Sequence, residues 1–353
     1  MADRSDPSTL AQAVLGGDRT ALARAITLVE SSRADHRLEA RAVLEAILPH
    51  SGHAWRVGIS GVPGVGKSTL IDSLGTLLTA RGHRVGVLAI DPSSVRTGGS
   101  VLGDKTRMPR LAAEPSAYIR PSPSAGTLGG VAAATAQTIP LLEAGGFDVV
   151  LVETVGVGQS EIAAAGMVDT FLLLGLARAG DQLQGIKRGV VEIADLVAIT
   201  KADGERVEDA REAARELTSA LRLVHVGSGG WVPPVVTCSG LTGAGIAELW
   251  TLVARHREFL GSRGIAEKRA AQRWELALSL VRDGLLSRLR NSAAVTSERD
   301  RLRPAVVAGT ISSVTAAERL LAAFDSDGAG EDDIGKVEIR SGNTRAQIAP
   351  EDA

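Results

Sequence analysis

The chain has 353 residues, a net charge of −2 and an apolar fraction of 44%. That length holds one large domain, or one domain with appendages, and the apolar fraction supports a sizeable core. The near-neutral balance excludes the basic field of a nucleic-acid binder, and four Trp, four Phe and one Tyr are too few for single-strand stacking platforms.

One cysteine, Cys238, rules out an internal disulfide framework and suits a reducing, cytoplasmic setting. The first residues, Met-Ala-Asp-Arg-Ser-Asp-Pro, are polar and lack the apolar core of a signal peptide. The longest apolar stretch, near Phe171 to Ala177, is too short to span a bilayer, so no membrane partner is expected.

In chain order, residues 1–7 read as disordered. From about Ser8 to His50 the pattern is helical. Leu22, Ala25, Ile26 and Val29 recur at i, i+3, i+4 and i+7, and Ala40, Val43, Leu44, Ile47 and Leu48 repeat it. Asp18 is placed to cap. Neither helix can bury its stripe alone, so residues 1–53 form a helical extension that must pack on something else.

Strands and helices alternate over residues 54–262. The β-branched run Arg56-Val-Gly-Ile-Ser60 leads into Gly61-Val-Pro-Gly-Val-Gly-Lys-Ser-Thr69, and an apolar-periodic helix begins near Lys67. This strand–loop–helix context marks a phosphate-binding loop. Gly61, Gly64 and Gly66 let the backbone curl until its N–H groups point at phosphate oxygens, and Val62, Pro63 and Val65 complete the cradle. The N-terminus of that helix adds positive potential, and Thr69 in its first turn belongs to the nucleotide-binding set. Lys67 is expected to reach the β/γ-phosphates and the Ser68 hydroxyl to ligate Mg²⁺.

Further strands are expected at 84–90, 117–120, 147–152, 168–175, 196–200 and 235–238. Helices are expected at 129–144, 204–221 and 246–260. Continuous apolar strands between helices imply a mostly parallel sheet covered on both faces, hence an α/β fold of the P-loop NTPase class, with ligand loops at the carboxyl ends of the strands. Asp91 and Glu153 end apolar strands and Asp104 lies in the loop after Asp91. These are the candidate carboxylates for Mg²⁺ and its waters. An Asp before Pro-Ser-Ser is also a good turn opener, which leaves a capping role open.

Three loops carry the material of order–disorder switches. They are 91–108, 153–160, and 177–188 with Gln184, Lys187 and Arg188. The charges of the third fit either a solvated face or transition-state stabilisation. Thr200-Lys-Ala-Asp203 follows a strand and resembles the [NT]-K-x-D guanine motif. There the carboxylate of Asp203 accepts from guanine N1 and N2 while the stem of Lys201 covers the ring. Adenine lacks those donors. The turn with Ser239, Gly240 and Leu241 is placed to offer N–H groups to the guanine oxygen.

After residue 262 the strands stop. Residues 263–324 read as helical, with Ala270, Trp274, Ala277, Val281 and Leu285 on one face. This segment serves either as a dimer arm or as a cover folded back on its own domain. Residues 325–353 read as a flexible tail, with a possible short strand at 336–340.

Taken together the chain resembles the methylmalonyl-CoA mutase-associated GTPases of the MeaB/ArgK type. The resemblance runs from about Leu22 to Phe324. It rests on Ala23-Arg-Ala-Ile-Thr-Leu-Val-Glu-Ser31, the phosphate loop, Asp91-Pro-Ser-Ser94, Arg96-Thr-Gly-Gly-Ser100, Gly103-Asp-Lys-Thr-Arg-Met108, Glu153-Thr-Val-Gly-Val-Gly-Gln-Ser-Glu161 and Gly180-Asp-Gln-Leu-Gln-Gly-Ile-Lys187.

The resemblance implies a Mg²⁺-dependent GTPase that gates adenosylcobalamin loading of an acyl-CoA mutase and protects or reactivates it. It implies a homodimer joined through the C-terminal helices. It also implies that Asp91, Asp104 and Glu153 handle the metal and that Gln184, Lys187 and Arg188 couple partner binding to hydrolysis. Two positions depart from the family pattern: Thr200 stands where Asn is usual, and Gly240 where Ala is usual, a change expected to be benign. No arginine finger is evident in cis, so slow unassisted hydrolysis is expected. The alternatives are a nucleotide-dependent kinase acting on a transport protein, and a nickel-insertion GTPase. The scattered His residues and single Cys disfavour the latter.

Overall fold

The computed structural model describes residues 6–31, 33–90, 106–121, 128–154, 159–177, 188–224 and 230–328. The described residues form two compact units that divide at 280/281.

In the first unit three helices precede the sheet: α1 (Pro7–Leu15), α2 (Arg19–Glu30) and α3 (Ala34–Ile47). Pro7, expected to be disordered, is instead the first residue of α1. Asp6 caps that helix by accepting from the Ser8 N–H, and Pro7 at the first helical position has no N–H to satisfy. Asp18 accepts from the N–H groups of Thr20 (2.7 Å) and Ala21 (3.1 Å), which starts α2.

Seven strands follow: β1 (Trp55–Gly61), β2 (Val85–Ile90), β3 (Ala117–Arg120), β4 (Val149–Thr154), β5 (Thr170–Leu176), β6 (Leu196–Thr200) and β7 (Val235–Thr237). They form one all-parallel sheet in the order β3-β2-β4-β1-β5-β6-β7, with β1 at its centre. The period of two sends alternate residues to opposite faces. Leu88, Ile90, Val150, Val152, Phe171, Leu173, Val197 and Ile199 join the three N-terminal helices and the Leu128–Ala144 and Val207–Val224 helices in one core. Val57, Ile59, Val85, Val87, Leu151, Leu172 and Ala198 face α4 (Lys67–Ala80) and the Ile246–Asn291 helix in the other. Both faces are covered, so the strands read as unbroken apolar runs. The N-terminal stripes are buried against the Leu128–Ala144 helix.

The Ile246–Asn291 helix is interrupted at Gly261, whose φ of 63° and ψ of 174° are non-helical. Beyond it, Arg269 is inserted at the amino ends of β1 and β5. Its guanidinium donates to both oxygens of Asp169 (2.7 and 2.6 Å), to the Gly52 carbonyl (2.5 Å) and to the Ala54 carbonyl (2.6 Å). Beside it Arg56 forks onto Glu143 (2.8 and 2.9 Å). These ion pairs close the sheet end opposite the one where parallel sheets bind ligands.

In the second unit the helices Ala293–Val307 and Ser313–Gly328 bury Val295, Leu302 and Ala316. Ser292 accepts from the Val295 N–H and donates to Asp327 (2.6 Å), and Glu298 pairs with Arg301 and Arg319. The last helix runs on to Gly328, past Asp325, where the tail was expected to begin. The expected strand at 336–340 lies outside the described residues. Trp274 in the first unit, and Val281 and Leu285 in the second, are exposed. Among the described residues no helix is long and apolar enough to cross a membrane.

Candidate nucleotide site

The loop after β1 needs backbone angles that side chains resist. Gly61 (φ 151°), Gly64 (φ 78°) and Gly66 (φ 101°) all have positive φ. At Gly61 a Cβ would also lie 2.6 Å from the Leu174 carbonyl oxygen of neighbouring β5, so no side chain fits. The loop feeds directly into α4, which begins at Lys67 and aims its free N–H groups at the same space.

That space is a cavity of about 530 Å³ at the carboxyl edge of the sheet, lined by the phosphate loop together with Ile90, Arg107, Glu153, Thr154 and Lys201. Lys67 is buried and donates to the carbonyls of Gly61 (2.8 Å) and Val62 (3.3 Å). The Ser68 hydroxyl donates to Glu153 Oε1 (2.9 Å). Below it, Thr154 donates to Ser60 (2.8 Å) and ties β4 to β1. Glu153 sits within β4 rather than beyond its end, and is buried.

Burial holds the Lys67 ammonium below its ordinary pKa of 10.5. The neighbouring carboxylates Glu153 and Glu161 offset part of this, and the Arg107 cation adds to it. Bound phosphates favour the charged amine, so binding above the free-protein pKa requires proton uptake. Affinity for the phosphates of GDP is therefore expected to weaken at a lower pH than an amine of ordinary pKa would give. It falls by up to about tenfold per pH unit once the pH passes that pKa. Calorimetric titrations across alkaline pH test this, and an affinity independent of pH up to 10.5 would contradict it.

At the other side of the cavity, the Thr200 hydroxyl at the end of β6 donates to the Val65 carbonyl (2.6 Å) and locks this loop to the phosphate loop, the tie that an amide at this position would otherwise supply. Lys201 is the only non-glycine residue with positive φ (56°) among the described residues, and its Cε passes 3.9 Å from where a Cβ on Gly66 would stand. Its stem therefore lies over the phosphate loop. Asp203 Oδ2 accepts from the Ser239 hydroxyl (2.5 Å), and Ser239 in turn accepts from the Thr242 N–H (3.2 Å).

Gly240 is more demanding than expected from its sequence. A Cβ there would meet the Thr69 carbonyl carbon and oxygen and the Leu70 nitrogen, all at 2.9 Å, so an alanine requires the turn or α4 to move. Leu241 is exposed at the tip. Burial pushes the Cys238 thiol up to about 12, so it carries no thiolate at neutral pH.

The structure thus gathers the phosphate loop, Glu153, Thr200, Lys201, Asp203 and the Ser239–Leu241 turn along one sheet edge. Asp91, Asp104, Gln184 and Lys187 lie outside the described residues. Arg188 opens the short Arg188–Glu192 helix. Sequence reasoning assigned no role to Thr154, Ser60, Glu161 or Arg107. Glu161 stood in a quoted motif and Arg107 in a loop of mixed charge, but nothing local placed either near Lys67.

Ser68 and Glu153 offer hard oxygens to one another, the donor type that suits Mg²⁺. Among the described residues no three carboxylate, His or Cys side chains converge on a point.

An all-parallel α/β sheet with this loop at the end of its central strand defines a P-loop nucleoside triphosphatase. The chain belongs to the family described as methylmalonyl Co-A mutase-associated GTPase MeaB, whose model matches residues 22–294. It is thus a GTPase that binds guanine nucleotides. It is 59% identical to a probable GTPase of Mycobacterium tuberculosis over 88% of this chain and 93% of that one. It is 45% identical to the mitochondrial methylmalonic aciduria type A homolog of Mus musculus, over 88% of this chain and 77% of that one. Among solved structures, the crystal structure of a LAO/AO transport system kinase matches with a TM-score of 0.71 and 33% identity, covering 92% of this chain and 99% of that one.

Proposed function

We propose that this GTPase is a Mg²⁺-dependent chaperone of an adenosylcobalamin-dependent acyl-CoA mutase, with methylmalonyl-CoA mutase as the first candidate client. It gates cofactor loading and protects or reactivates that enzyme in a reducing cytoplasm. The observation that carries this reading is the family match across residues 22–294, whose description names association with that mutase. The Ser68–Glu153 contact supports the metal assignment.

In this reading Lys67 and the loop N–H groups bind the phosphates. Ser68 and Glu153, with Asp91 and Asp104, hold Mg²⁺ and its waters. The ion neutralises charge on the β- and γ-phosphates. Thr200, Lys201, Asp203 and the Ser239–Leu241 turn hold guanine. Gln184, Lys187 and Arg188 respond to the client. Residues 263–324 join two copies, and the exposure of Trp274, Val281 and Leu285 supports an apolar contact there.

The test is co-purification with adenosylcobalamin mutases in GDP and in a non-hydrolysable GTP analogue, scoring turnover with and without each mutase. A client that binds and raises turnover is expected. The Lys187→Ala variant is expected to bind GDP as the native protein does and to lose at least about tenfold of the client-stimulated turnover. Unchanged stimulation would remove the 177–188 loop from the coupling. If no mutase binds, the client assignment falls while the GTPase stands. The kinase alternative draws support from the solved relative, a transport system kinase by name. It requires label from γ-labelled nucleotide to appear on protein, whereas hydrolysis releases only free phosphate.

A further inference from the structure

Arg107, a cation in the nucleotide cavity, is held by no described protein group. Arg107 lines the cavity with Lys67, Ser68 and Glu153. Four other arginines of this unit are engaged, Arg56 by Glu143, Arg110 by Asp72, Arg120 by Glu30 and Arg269 by Asp169. Arg107 forms no hydrogen bond or ion pair with the described residues.

Its backbone, by contrast, is fixed. Met108 and Leu111 are fully buried. Asp72 on α4 takes the Arg110 guanidinium through one oxygen (2.8 Å) and the Leu111 N–H through the other (2.8 Å). Leu111 also presses on Gly75, where a Cβ would stand 2.5 Å from the leucine side chain. Arg107 therefore projects from a segment bolted to the same helix that carries Lys67 and Ser68. This support fixes the point from which the Arg107 side chain reaches the cavity.

Sheet order tells which end of a nucleotide it meets. The base loops follow β6 and β7, on one side of β1. Glu153 on β4 and Ile90 at the end of β2 lie on the other side. A nucleotide whose base sits at β6/β7 and whose phosphates cross the β1 loop must point its terminal phosphate toward β4 and β2. Arg107 belongs to the β2–β3 crossover and lines that side.

We propose that Arg107 is a catalytic residue acting in cis, its guanidinium donating to the γ-phosphate of bound GTP. This rests on the nucleotide-site reading above. In the reaction a water oxygen forms a bond to Pγ, and the bond from Pγ to the β–γ bridging oxygen breaks. That oxygen keeps the electron pair and leaves with GDP, and the water protons pass to the released phosphate and solvent. The guanidinium neutralises charge on the γ-oxygens as this happens, and makes no contact once phosphate has left.

Single-turnover GTP hydrolysis and GDP affinity, measured on the full chain with Mg²⁺ for the native protein, Arg107→Ala and Arg107→Lys, test this. Arg107→Ala is expected to slow turnover by about 100-fold or more while GDP affinity stays within about twofold. Arg107→Lys recovers little, because an ammonium lacks the planar fork. Added methylguanidinium restores part of the Arg107→Ala rate and methylammonium does not. Turnover within about threefold of native, or an equal loss of GDP affinity, overturns the proposal. A native protein without GTP turnover would refute the reading of the site itself, and the role of Arg107 with it.

Discussion

Replacing Asp203 by Asn is expected to move base preference from guanine to xanthine. Asp203 presents a carboxylate whose Oδ2 accepts from Ser239. That bond fixes its orientation and leaves acceptor capacity for the N1–H and N2–H of guanine. An Asn keeps one acceptor for N1–H but turns an amide N–H₂ toward the guanine amino group, donor against donor. Xanthine carries a carbonyl there and pairs with both halves of the amide.

Two charge-assisted bonds at about 1.5–3 kcal/mol each set the scale, so GDP affinity is expected to fall by about two to four orders of magnitude. Xanthosine diphosphate affinity rises over native protein. Competition binding with the two diphosphates measures both. Equal GDP affinities in the native and Asp203→Asn proteins would show that this loop does not read the base.

The second large effect is on stability and lies at the opposite edge of the sheet. Asp169→Ala removes the carboxylate that Arg269 grips through two hydrogen bonds, and leaves that guanidinium buried with only backbone carbonyls. Arg257, whose Nη1 is 3.5 Å from the same carboxylate and has no hydrogen-bond partner, loses its nearest counter-charge. Breaking one side of a buried pair costs about 3–5 kcal/mol, because the remaining charge has no compensation. Urea unfolding of the first unit is expected to show a loss of that size. The Asp169→Leu/Arg269→Met double variant recovers part of it, since a packed apolar pair can replace a buried ion pair, while Arg257 still lacks its counter-charge. GDP affinity of the folded variant is expected to stay native, because no described nucleotide-site residue contacts Asp169. A loss below about 1 kcal/mol would show that the network is solvated and contributes little.

Elements whose cause is local are legible in the sequence. The Asp18 cap depends on atoms two and three residues away. The phosphate loop depends on three glycines within six positions, because the required φ angles belong to single residues. The 117–120 strand matched to the residue. The alternation of apolar strands with helices sufficed for the parallel α/β class, since strands covered on both faces must be apolar throughout. The start of α1 at Pro7 escaped notice because an Asp-Pro pair at the chain end also reads as a turn.

Contacts between distant segments had no local trace. Arg269 and Asp169 stand 100 residues apart, and a buried arginine in a helix of many arginines looks like its exposed neighbours. The cost of a Cβ at Gly240 is set by the backbone of α4, which no property of the turn itself reports. Arg107 reads in sequence as one charge in a loop, and only the Asp72 clamp and the sheet order turn it toward the phosphates. The sequence by itself determined the kind of ligand, because phosphate and guanine are recognised by short runs of backbone and side chain that fold the same way wherever they occur. The tertiary structure decided which charges face that ligand and which are spent holding the sheet together, because the free energy of a charge depends on its surroundings in space rather than on its neighbours in the chain.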